Sequence, residues 1–468
     1  MMAIIDENFF KGKRVTVFGI GLLGGGVGTI RYLVEHGAKV IATDIKTKEQ
    51  LAHSLEQLSD LKNIEYVLGQ HRREDFTKVD MVIKTPVAPW NNKHIKLALE
   101  HKIPVEVDAS LFFKLCKVPI IGVTGTKGKT TTAHMIYTIL ERSGQQPLKV
   151  GIGQTSVLDR LKLIKKNTVV VFELSSWRLS ALEQAEISPQ IAVFTNIFPD
   201  HMDYYSSMES YFNDKKNIYR FQKPKDWFIA NCDDEEVCEC TEEATAQVVR
   251  CGMHAINDGR SVYVDDGMIY INDGNDARKL IAVEKMPLRG AHNIPNVLMA
   301  IGAAYAQGAK PSVIADALRD MRNVPHRLEF VREKAGIKYY NDTASTVPRS
   351  ALAALEAFTE PIILIAGGSD KKLTYDKFAK AIKARVKGVV FIKGIATDKI
   401  IAEIRKQSID EEEYKFAVVD AMDKAVEYAS RSAVAGDVVL LSPGAASFGV
   451  FRNEFDRGNQ FKRAVDDL

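Results

Sequence analysis

The sequence predicts an α/β protein built from three domains, and three observations predict this class. Apolar, β-rich runs alternate with helical patterns along most of the 468 residues, as is typical of parallel sheets covered by helices. A chain of this length usually holds about three domains. Hydrophobic residues form 46% of the chain and charged residues 26%, which is enough apolar material for packed cores and excludes wholesale disorder.

The first block of strands predicts a domain over residues 1–117. A strand at Arg14–Phe18 leads through a glycine-rich turn into a helix that ends near His36, and a second strand follows at Lys39–Thr43. Short apolar runs at Asp80–Thr85 and Pro104–Val107 predict further strands of the same sheet.

The second and third blocks predict domains over residues 118–324 and 325–468, with Pro325 as a plausible hinge. In the second block the polar stretch 233–276 is expected to form hairpins and loops after the sheet has ended. The predicted strands are Pro119–Val123, Thr168–Leu174 and Gln190–Asn196 in the second block, and Lys338–Asn341, Pro361–Ala366, Gly388–Lys393 and Asp437–Ser442 in the third.

The charge balance argues against a protein that binds polyanions. The 63 Lys and Arg against 60 Asp and Glu leave a net charge of +3, whereas nucleic-acid-binding proteins usually carry a strong basic excess. No apolar run reaches the roughly 18 residues of a membrane span, and residues 1–13 do not resemble a signal peptide. We therefore expect a cytoplasmic protein with no nucleic-acid partner and no membrane span.

Four of the five cysteines, Cys232, Cys238, Cys240 and Cys251, lie close together in the sequence. Their spacing matches no zinc pattern with paired C-x-x-C. In a cytoplasmic protein, free reduced thiols are favoured over a metal site.

The glycine-rich turn of the first block is typical of a nucleotide diphosphate site. Gly19, Gly21 and Gly24 link a strand to a helix, and Asp44 lies twenty residues after Gly24 at the end of the next strand. A helix N-terminus can hold a diphosphate, and a carboxylate can hold ribose hydroxyls. This physics suits a UDP-linked substrate as well as NAD, and a purely structural glycine turn stays open as the alternative.

A second glycine-rich turn, Gly122-Val-Thr-Gly-Thr-Lys-Gly-Lys-Thr-Thr131, follows an apolar strand and precedes a helical pattern. In that context the backbone N–H groups can turn towards phosphate oxygens, Lys129 can reach the terminal phosphates, and the Thr130 hydroxyl can bind Mg²⁺. We interpret this turn as an ATP site, a shortened variant of the phosphate loop in which Val123 replaces the first glycine.

A carboxylate and an imidazole, those of Glu173 and His201, lie at or just after the ends of strands in the second block. Glu173 ends a buried-looking strand, where a carboxylate near a phosphate loop is well placed for Mg²⁺. His201 comes just after another strand, and either a metal ligand or a capping residue fits that place.

These residues resemble the Mur ligases, the ATP-dependent amide-bond ligases of peptidoglycan precursor synthesis. The resemblance covers nearly the whole chain in the same order, and it is strongest to the branch that adds D-glutamate, with its E-L-S-S-F-Q-L and D-H-M-D-R-Y stretches. The matching stretches are Thr124–Thr131, Glu173–Leu179, Asp200–Tyr205, Gly290–Asn296, Pro325–Glu329, Asn341–Thr343, Leu441–Ser447 and Arg457–Asn459.

The resemblance implies an N-terminal Rossmann-like domain for the UDP substrate, a central P-loop ATPase-like domain for ATP and a C-terminal Rossmann-like domain for the amino acid. It implies two Mg²⁺ ions and a carbamylated Lys215, and a CO₂ adduct would relieve the repulsion between a bare Lys⁺ and two cations. Lys129, His201, Lys215 and Arg327 are the implied catalytic residues. The metal set is Thr130, Glu173, His201 and Lys215, and the ATP set is Gly125, Thr126, Lys127, Gly128, Lys129, Thr130, Thr131, Asn293, Asn296, Arg327 and Asp342.

The implied substrates are UDP-N-acetylmuramoyl-L-alanine and D-glutamate, joined through an acyl phosphate by an enzyme that is expected to be monomeric. The UDP-substrate set is Gly21, Leu22, Leu23, Asp44 and Lys46, and the amino-acid set is Thr346, Lys371 and Ser447. Ala344 replaces an expected lysine, Glu454 replaces an expected aromatic residue, and Gln154 is the nearest amide to an expected asparagine. The first departure removes a cationic contact worth about 1.5–3 kcal/mol, which is enough to alter the preferred amino acid.

Other functions remain open from sequence. A Mur-type ligase with another acceptor, such as L-glutamate or alanine, is the nearest alternative, followed by a folylpolyglutamate-like ligase. A nucleotide-dependent oxidoreductase would use the first glycine turn and leave Lys129 unexplained. A regulatory ATP-binding protein without turnover is a further class.

Overall fold

The computed structural model describes residues 8–22, 24–152, 156–406 and 416–468. Three β-sheets flanked by helices confirm the α/β class. The chain forms two compact units, of which the first ends at Lys285 and also includes Pro295–Leu318. The second unit comprises Met286–Ile294 and Arg319–Leu468. Among the described residues, no helix combines the length and the apolar character needed to cross a membrane.

The first sheet of the first unit has five strands: β1 (Arg14–Phe18), β2 (Lys39–Asp44), β3 (Ile64–Leu68), β4 (Met81–Lys84) and β5 (Val105–Glu106). Its helices are α1 (Gly25–Glu35), α2 (Ala52–Glu56), α3 (Glu74–Thr77), α4 (Lys93–Glu100) and α5 (Asp108–Leu115). The strands are parallel in the order β3-β2-β1-β4-β5. This is a Rossmann order, in which the ends of β1 and β4 flank the crevice where ligands bind.

The second sheet of the first unit has nine strands: β6 (Ile120–Thr124), β7 (Gln146–Val150), β8 (Thr168–Glu173), β9 (Ile191–Phe194), β10 (Trp227–Asn231), β11 (Gln247–Gly252), β12 (Arg260–Asp265), β13 (Met268–Asp273) and β14 (Ala277–Ala282). Its order is β14-β13-β12-β11-β10-β9-β6-β8-β7. The helices along this part of the chain are α6 (Lys129–Arg142), α7 (Ser176–Ala185), α8 (Met208–Lys216), α9 (Glu235–Glu243), α10 (Ile294–Ala306) and α11 (Pro311–Arg319), with 3₁₀ turns at Leu158–Leu163, Val283–Lys285 and Ala291–Asn293. The central strands β6, β8 and β9 are parallel, so their carboxyl ends meet at one edge.

The expectation for residues 233–276 was wrong about the end of the sheet, which continues through the whole stretch, and correct about the hairpins of its second half. The sheet continues through this stretch, since helix α9 is a crossover that returns the chain to β11 parallel to β10. Asp234 caps α9 by accepting a hydrogen bond from Val237 N at 3.2 Å, which starts a helix inside an otherwise polar run. The second half forms the antiparallel hairpins β12–β13 and β13–β14.

The third sheet lies in the second unit and has six strands: β15 (Glu329–Lys334), β16 (Ile337–Asn341), β17 (Ile362–Gly367), β18 (Val386–Ile392), β19 (Phe416–Val419) and β20 (Val438–Leu441). Its helices are α12 (Pro348–Glu356), α13 (Asp376–Arg385), α14 (Ile395–Arg405), α15 (Met422–Ser432) and α16 (Glu454–Asp466). The order is β15-β16-β20-β17-β18-β19, with only β15 antiparallel to its neighbour. Alternate residues of β17, such as Ile363 and Leu364, enter separate cores on the two faces of the sheet.

The expectation of free thiols was wrong for one pair of cysteines. Cys232 and Cys238 form a disulfide, because the turn from β10 into α9 brings their Cα atoms within 4.5 Å. Cys240 and Cys251 are free and buried, and Cys116 is free and partly buried. No group of three or more His, Cys, Asp and Glu side chains suited to a metal occurs in the described ranges.

Candidate active site

The turn from β6 into α6 has the backbone geometry of a phosphate loop. Gly125 has φ 139° and Gly128 has φ 87°, values that L side chains rarely adopt. A Cβ on Gly125 would lie 1.9 Å from Thr195 Oγ1, and a Cβ on Gly128 would lie 2.4 Å from Asn296 Oδ1. Glycine is therefore required at both ends of the turn.

Asn196, just after β9, holds this loop with its side chain and its backbone. Its Oδ1 accepts from Lys127 N at 2.8 Å and its Nδ2 donates to Lys127 O at 3.1 Å. Thr126 N donates to Asn196 O at 2.9 Å. Sequence reasoning did not select Asn196, although its place directly after a strand and beside the Asp200–Tyr205 stretch was a usable signal.

Lys129 and Lys215 reach the same carbonyl from different helices. The Nζ atoms of Lys129 (α6) and Lys215 (α8) each donate to Gly125 O at 2.9 Å, and Lys129 also donates to Thr126 O at 3.0 Å. Lys215 is only 2% exposed. Burial, and next the charge of Lys129, hold the pKa of Lys215 well below its usual value.

Glu173 and His201 lie at the same sheet edge as the phosphate loop. Glu173 ends β8, where it pairs with Val123 of β6. His201 follows β9, has φ 55°, and its ring centroid lies 4.7 Å from that of Trp177. Burial lowers the pKa of His201, and the charges of nearby lysines, including Lys129, act in the same direction. The imidazole is therefore neutral at pH 7 and able to bind a metal.

The remaining residues of the predicted ATP set lie in both units. Thr130 and Thr131 are in the first turn of α6, where Thr130 is partly exposed and Thr131 is buried. Asn296 accepts from Thr132 Oγ1 at 3.2 Å beside the phosphate loop. Asn293 lies in the second unit, where its Nδ2 donates to Arg289 O at 2.8 Å.

The glycine turn after β1 forms one wall of a large cavity. Asp44 Oδ2 accepts from Ile20 N and Gly21 N, both at 3.0 Å, and its Oδ1 accepts from Lys46 N at 2.9 Å. The cavity measures about 920 Å³, and Gly21, Leu22, Asp44 and Lys46 all line it. Leu23 and Gln154 lie outside the described residues.

Helix α7 joins this cavity to the second sheet. Arg178 Nη2 donates to Asp108 Oδ2 at 3.0 Å, and both side chains line the cavity. Trp90 Nε1 donates to Ser180 Oγ at 3.0 Å. Sequence reasoning missed Asp108 and Arg178, because a charged residue in a helical pattern looks solvated until its tertiary partner is known.

In the second unit, the three predicted amino-acid contacts lie on neighbouring loops. Lys371 Nζ donates to Thr346 Oγ1 at 3.1 Å. Ser369 and Ala446 exchange backbone hydrogen bonds of 2.9 and 3.1 Å, which places the loop before Lys371 beside buried Ser447.

Asp342 is buried at the end of β16 in the second unit. Its carboxylate accepts from Ser345 Oγ at 2.5 Å, Ser442 Oγ at 2.8 Å and Leu328 N at 3.2 Å. Burial raises the pKa of Asp342 to about 6 despite these bonds and the charge of Arg327. The structure thus brings Arg327 and Asp342 close enough to interact electrostatically.

Models of three protein domains match most of the chain. The Mur ligase middle domain matches residues 123–304, and the Mur ligase glutamate ligase domain matches residues 326–444. The MurD-like N-terminal domain of Mur ligases matches residues 13–106.

Full-length relatives agree with these matches. The UDP-N-acetylmuramoylalanine–D-glutamate ligase of Roseiflexus sp. strain RS-1 is 40% identical over 464 residues, covering 98% of this chain and 99% of the relative. The chain belongs to the Mur ligase family. The Mur ligase of the same name from Borreliella burgdorferi is 35% identical over 476 residues, covering 99% of this chain and 100% of the relative.

Solved structures of other Mur ligases share the fold. The UDP-N-acetylmuramate–alanine ligase of Thermotoga maritima has a TM-score of 0.58 at 20% identity, covering 97% of this chain and 99% of the other. The MurF ligase of the same organism, in complex with ADP, has a TM-score of 0.56 at 18% identity and covers 98% and 96%. The three-domain α/β architecture is confirmed, and the protein is an ATP-dependent ligase of a family that requires Mg²⁺.

Proposed function

We propose that this ligase adds D-glutamate to UDP-N-acetylmuramoyl-L-alanine in the cytoplasm, acting as a monomer. The observation that carries the proposal is the convergence of Lys129 and buried Lys215 on the carbonyl of Gly125 in the phosphate loop. Domain boundaries after residues 117 and 324 would assign the UDP substrate to the first domain, ATP to the second and the amino acid to the third.

ATP binding is proposed at the N-terminus of α6. Loop residues Gly125, Thr126, Lys127 and Gly128 offer backbone N–H groups to phosphate oxygens, and the helix terminus adds its partial positive charge. Lys129 is tethered to two carbonyls of its own loop, from which its ammonium can turn towards the β- and γ-phosphates. Further contacts with the triphosphate, the adenine and the ribose are assigned to Thr130, Thr131, Asn293, Asn296, Arg327 and Asp342.

Two Mg²⁺ ions fit the donors of this region once Lys215 is carbamylated. Thr130, Glu173 and His201 offer a hydroxyl, a carboxylate and a neutral imidazole. Mg²⁺ prefers oxygen ligands and does not bind an ammonium, so Lys215 becomes a ligand only when a carbamate gives it oxygen atoms. A neutral lysine amine is the form that reacts with CO₂, and the lowered pKa of Lys215 favours that form. When bound, the ions would neutralise charge on the phosphates.

The UDP substrate is proposed to fill the cavity of the first sheet. The N-terminus of α1 suits the diphosphate, and Gly21, Leu22, Leu23, Asp44 and Lys46 are the proposed contacts. Thr346, Lys371 and Ser447 are the proposed contacts of the acceptor amino acid.

The reaction proceeds in two steps. A carboxylate oxygen of the UDP-linked substrate attacks the γ-phosphorus of ATP, the bond from that phosphorus to the β,γ-bridging oxygen breaks, and the products are an acyl phosphate and ADP. The deprotonated amine of the amino acid then attacks the acyl carbon, and inorganic phosphate leaves as the amide forms. Lys129 and Arg327 offset the negative charge that collects in the first step, and water must be excluded so that the acyl phosphate is not hydrolysed.

The same chemistry with another acceptor, such as L-glutamate, is the second candidate. Ala344 favours it, because the cationic contact expected at that position is missing. Glu454 adds a carboxylate where an aromatic residue is expected.

A screen of amino acids tests the proposal. With ATP, Mg²⁺ and UDP-N-acetylmuramoyl-L-alanine, D-glutamate should stimulate phosphate release above all other amino acids, in step with formation of ADP and the amide product. Stronger stimulation by L-glutamate would select the second candidate, and failure of every glutamate isomer would reject both.

A further inference from the structure

A buried guanidinium is hydrogen-bonded to the two loops that carry Thr346 and Ser447. Arg457 of α16 is 0% exposed. Its Nε donates to Thr343 Oγ1 and its Nη2 to Thr343 O, both at 2.9 Å, while Nη1 donates to Ala445 O at 3.2 Å. One side chain is therefore bonded to both loops, each within three residues of a proposed acceptor contact.

The charge of Arg457 is not balanced by a carboxylate in contact with it. Its three hydrogen bonds go to neutral oxygens, and within the described part of the chain no Asp or Glu oxygen forms an ion pair with it. Glu454 and Asp342 act on it only at longer range. Burial lowers the pKa of Arg457 to about 10, which leaves the guanidinium protonated at neutral pH. The three hydrogen bonds offset part of the cost of burying this guanidinium, and a nearby anion would stabilise the charge further.

Ala344 directly follows Thr343, whose carbonyl oxygen and hydroxyl both accept hydrogen bonds from Arg457. Its peptide N follows the Thr343 carbonyl that Arg457 binds, and Ala344 itself is partly exposed. The Ala344 methyl group carries no charge that could attract a carboxylate, whereas Arg457 holds a positive charge beside the preceding residue.

We propose that Arg457 supplies the positive charge that attracts the side-chain carboxylate of the acceptor, in place of a lysine at position 344. The inference rests on the proposed function, since it requires a dicarboxylic acceptor near Thr346 and Lys371. Three hydrogen bonds fix the charge in position, and the buried surroundings screen it less than water would. Arg457 is a positioning residue, because it acts without touching the reacting atoms.

Three variants distinguish an electrostatic role of Arg457 from a purely structural one. Arg457→Met should raise KM for D-glutamate about tenfold to a hundredfold, because the acceptor site loses a buried and weakly screened positive charge. KM for ATP should change by less than about threefold. Adding Ala344→Lys to Arg457→Met restores a cation to the loop and should recover most of the lost affinity, with kcat and KM measured separately. Arg457→Lys, which keeps the charge, should raise KM for D-glutamate less than about fivefold.

Arg452→Met is the matched control, because Arg452 is an exposed arginine of the same segment. It should leave the KM values for D-glutamate, ATP and the UDP-linked substrate unchanged. A purely structural role would lower the melting temperature and kcat of Arg457→Met and raise every KM, with no recovery on adding Ala344→Lys. That result overturns the inference.

These experiments distinguish a failure of the proposed function from a failure of the inference about Arg457. If Arg457→Met does not fold, Arg457→Lys decides, and a tenfold or larger rise in its acceptor KM rejects the inference. If the unaltered enzyme accepts no dicarboxylic amino acid, the proposed function fails before any variant is compared. If D-glutamate is accepted but Ala344→Lys restores nothing, only the inference fails.

Discussion

At the scale of single residues, Lys215 and Lys129 share one site and differ in burial. Lys129 is partly exposed, whereas Lys215 is buried against the phosphate loop with its pKa well below the usual value, first because of burial and next because of Lys129. A helical pattern gives no sign of this burial. From sequence, Lys215 could be selected only through the family resemblance, since its environment is created by residues distant in the chain.

Replacing Lys215 should abolish turnover in a way that a small acid can reverse. We expect Lys215→Ala to lower kcat at least about a hundredfold, because the site loses the amine that would carry the carbamate ligand. Acetate or a similar short carboxylic acid should restore part of the activity by supplying the missing carboxylate.

Lys216→Ala is the control, since Lys216 is paired with exposed Glu243 at 2.9 Å on the other side of the same helix turn. Its activity should match that of the unaltered enzyme with or without acid. Inactivity of Lys215→Ala that no acid relieves would argue against a carbamate.

Asp342 should make stability depend on pH in an unusual direction. Its pKa is raised to about 6 in the folded state, so the folded protein holds this proton more tightly than the unfolded chain does. Its contribution to stability is therefore present at low pH and is lost as pH rises to about 6.

Relative to Asp342→Asn, the unaltered protein should lose about 1 kcal/mol of unfolding free energy between pH 5 and pH 7.5. Urea titrations of both proteins at several pH values measure this difference, in which the other titrating groups cancel. A difference that is flat or that rises with pH would contradict the raised pKa.

At the scale of elements, α7 carries contacts to both sides of the first unit. Its first turn packs Trp177 on His201, and its Arg178 pairs with Asp108 of α5. Most of this pair is buried, so removing one partner leaves an uncompensated charge.

Arg178→Met should therefore lower the free energy of unfolding by about 3 kcal/mol, and adding Asp108→Asn should recover part of the loss. Because both side chains line the cavity, KM for the UDP substrate should also rise. Chemical denaturation and substrate titration measure the two effects.

Arg220→Met serves as the comparison, because Arg220 forms an ion pair at 3.5 Å with Glu183 of α7. The side chains of that pair are 34% and 49% exposed, against 19% and 9% for Arg178 and Asp108. Breaking that pair should cost less than about 1 kcal/mol. Equal losses from the two arginine variants would show that burial does not set the cost.

Elements with a strong local pattern could be predicted, and elements defined by their partners could not. The apolar runs of β1, β6 and β17 bury nearly every side chain, and the sequence marked all three. Strand β3 was missed because it is only five residues long and Glu65, which is exposed at the sheet edge, interrupts its apolar run. Strand β15 was missed because none of its residues is buried.

At the scale of the whole molecule, the second unit has a complete sheet with a core on each face. We expect a fragment of residues 319–468 to unfold cooperatively, although it loses the bidentate pair that Arg289 forms with Glu360 at 3.0 and 2.8 Å. Circular dichroism during a denaturant titration tests this. A shorter fragment, 361–468, lacks β15, β16 and α12 and should not fold. Equal unfolding behaviour of the two fragments would contradict the division of the chain into two compact units.

The alternation of strand and helix patterns, together with the length of the chain, was enough to predict three α/β domains. The candidate site was predicted less completely. The glycine turns and the lysines that follow them are local patterns, whereas Asn196, Arg178 and Arg457 derive their importance from contacts across long stretches of sequence. Such contacts depend on the tertiary fold, which no local pattern encodes.

The shared carbonyl of Gly125 has a consequence for how tightly nucleotide can be held. Two amines already satisfy that oxygen, so Lys129 must exchange its internal partners for a triphosphate and does not simply gain a new bond. Much of the attraction between lysine and phosphate is spent on this exchange. If Lys129 turns towards a nucleotide, the bond from Lys215 still holds the Gly125 carbonyl, so the loop keeps one of its two lysine contacts while the other lysine is engaged.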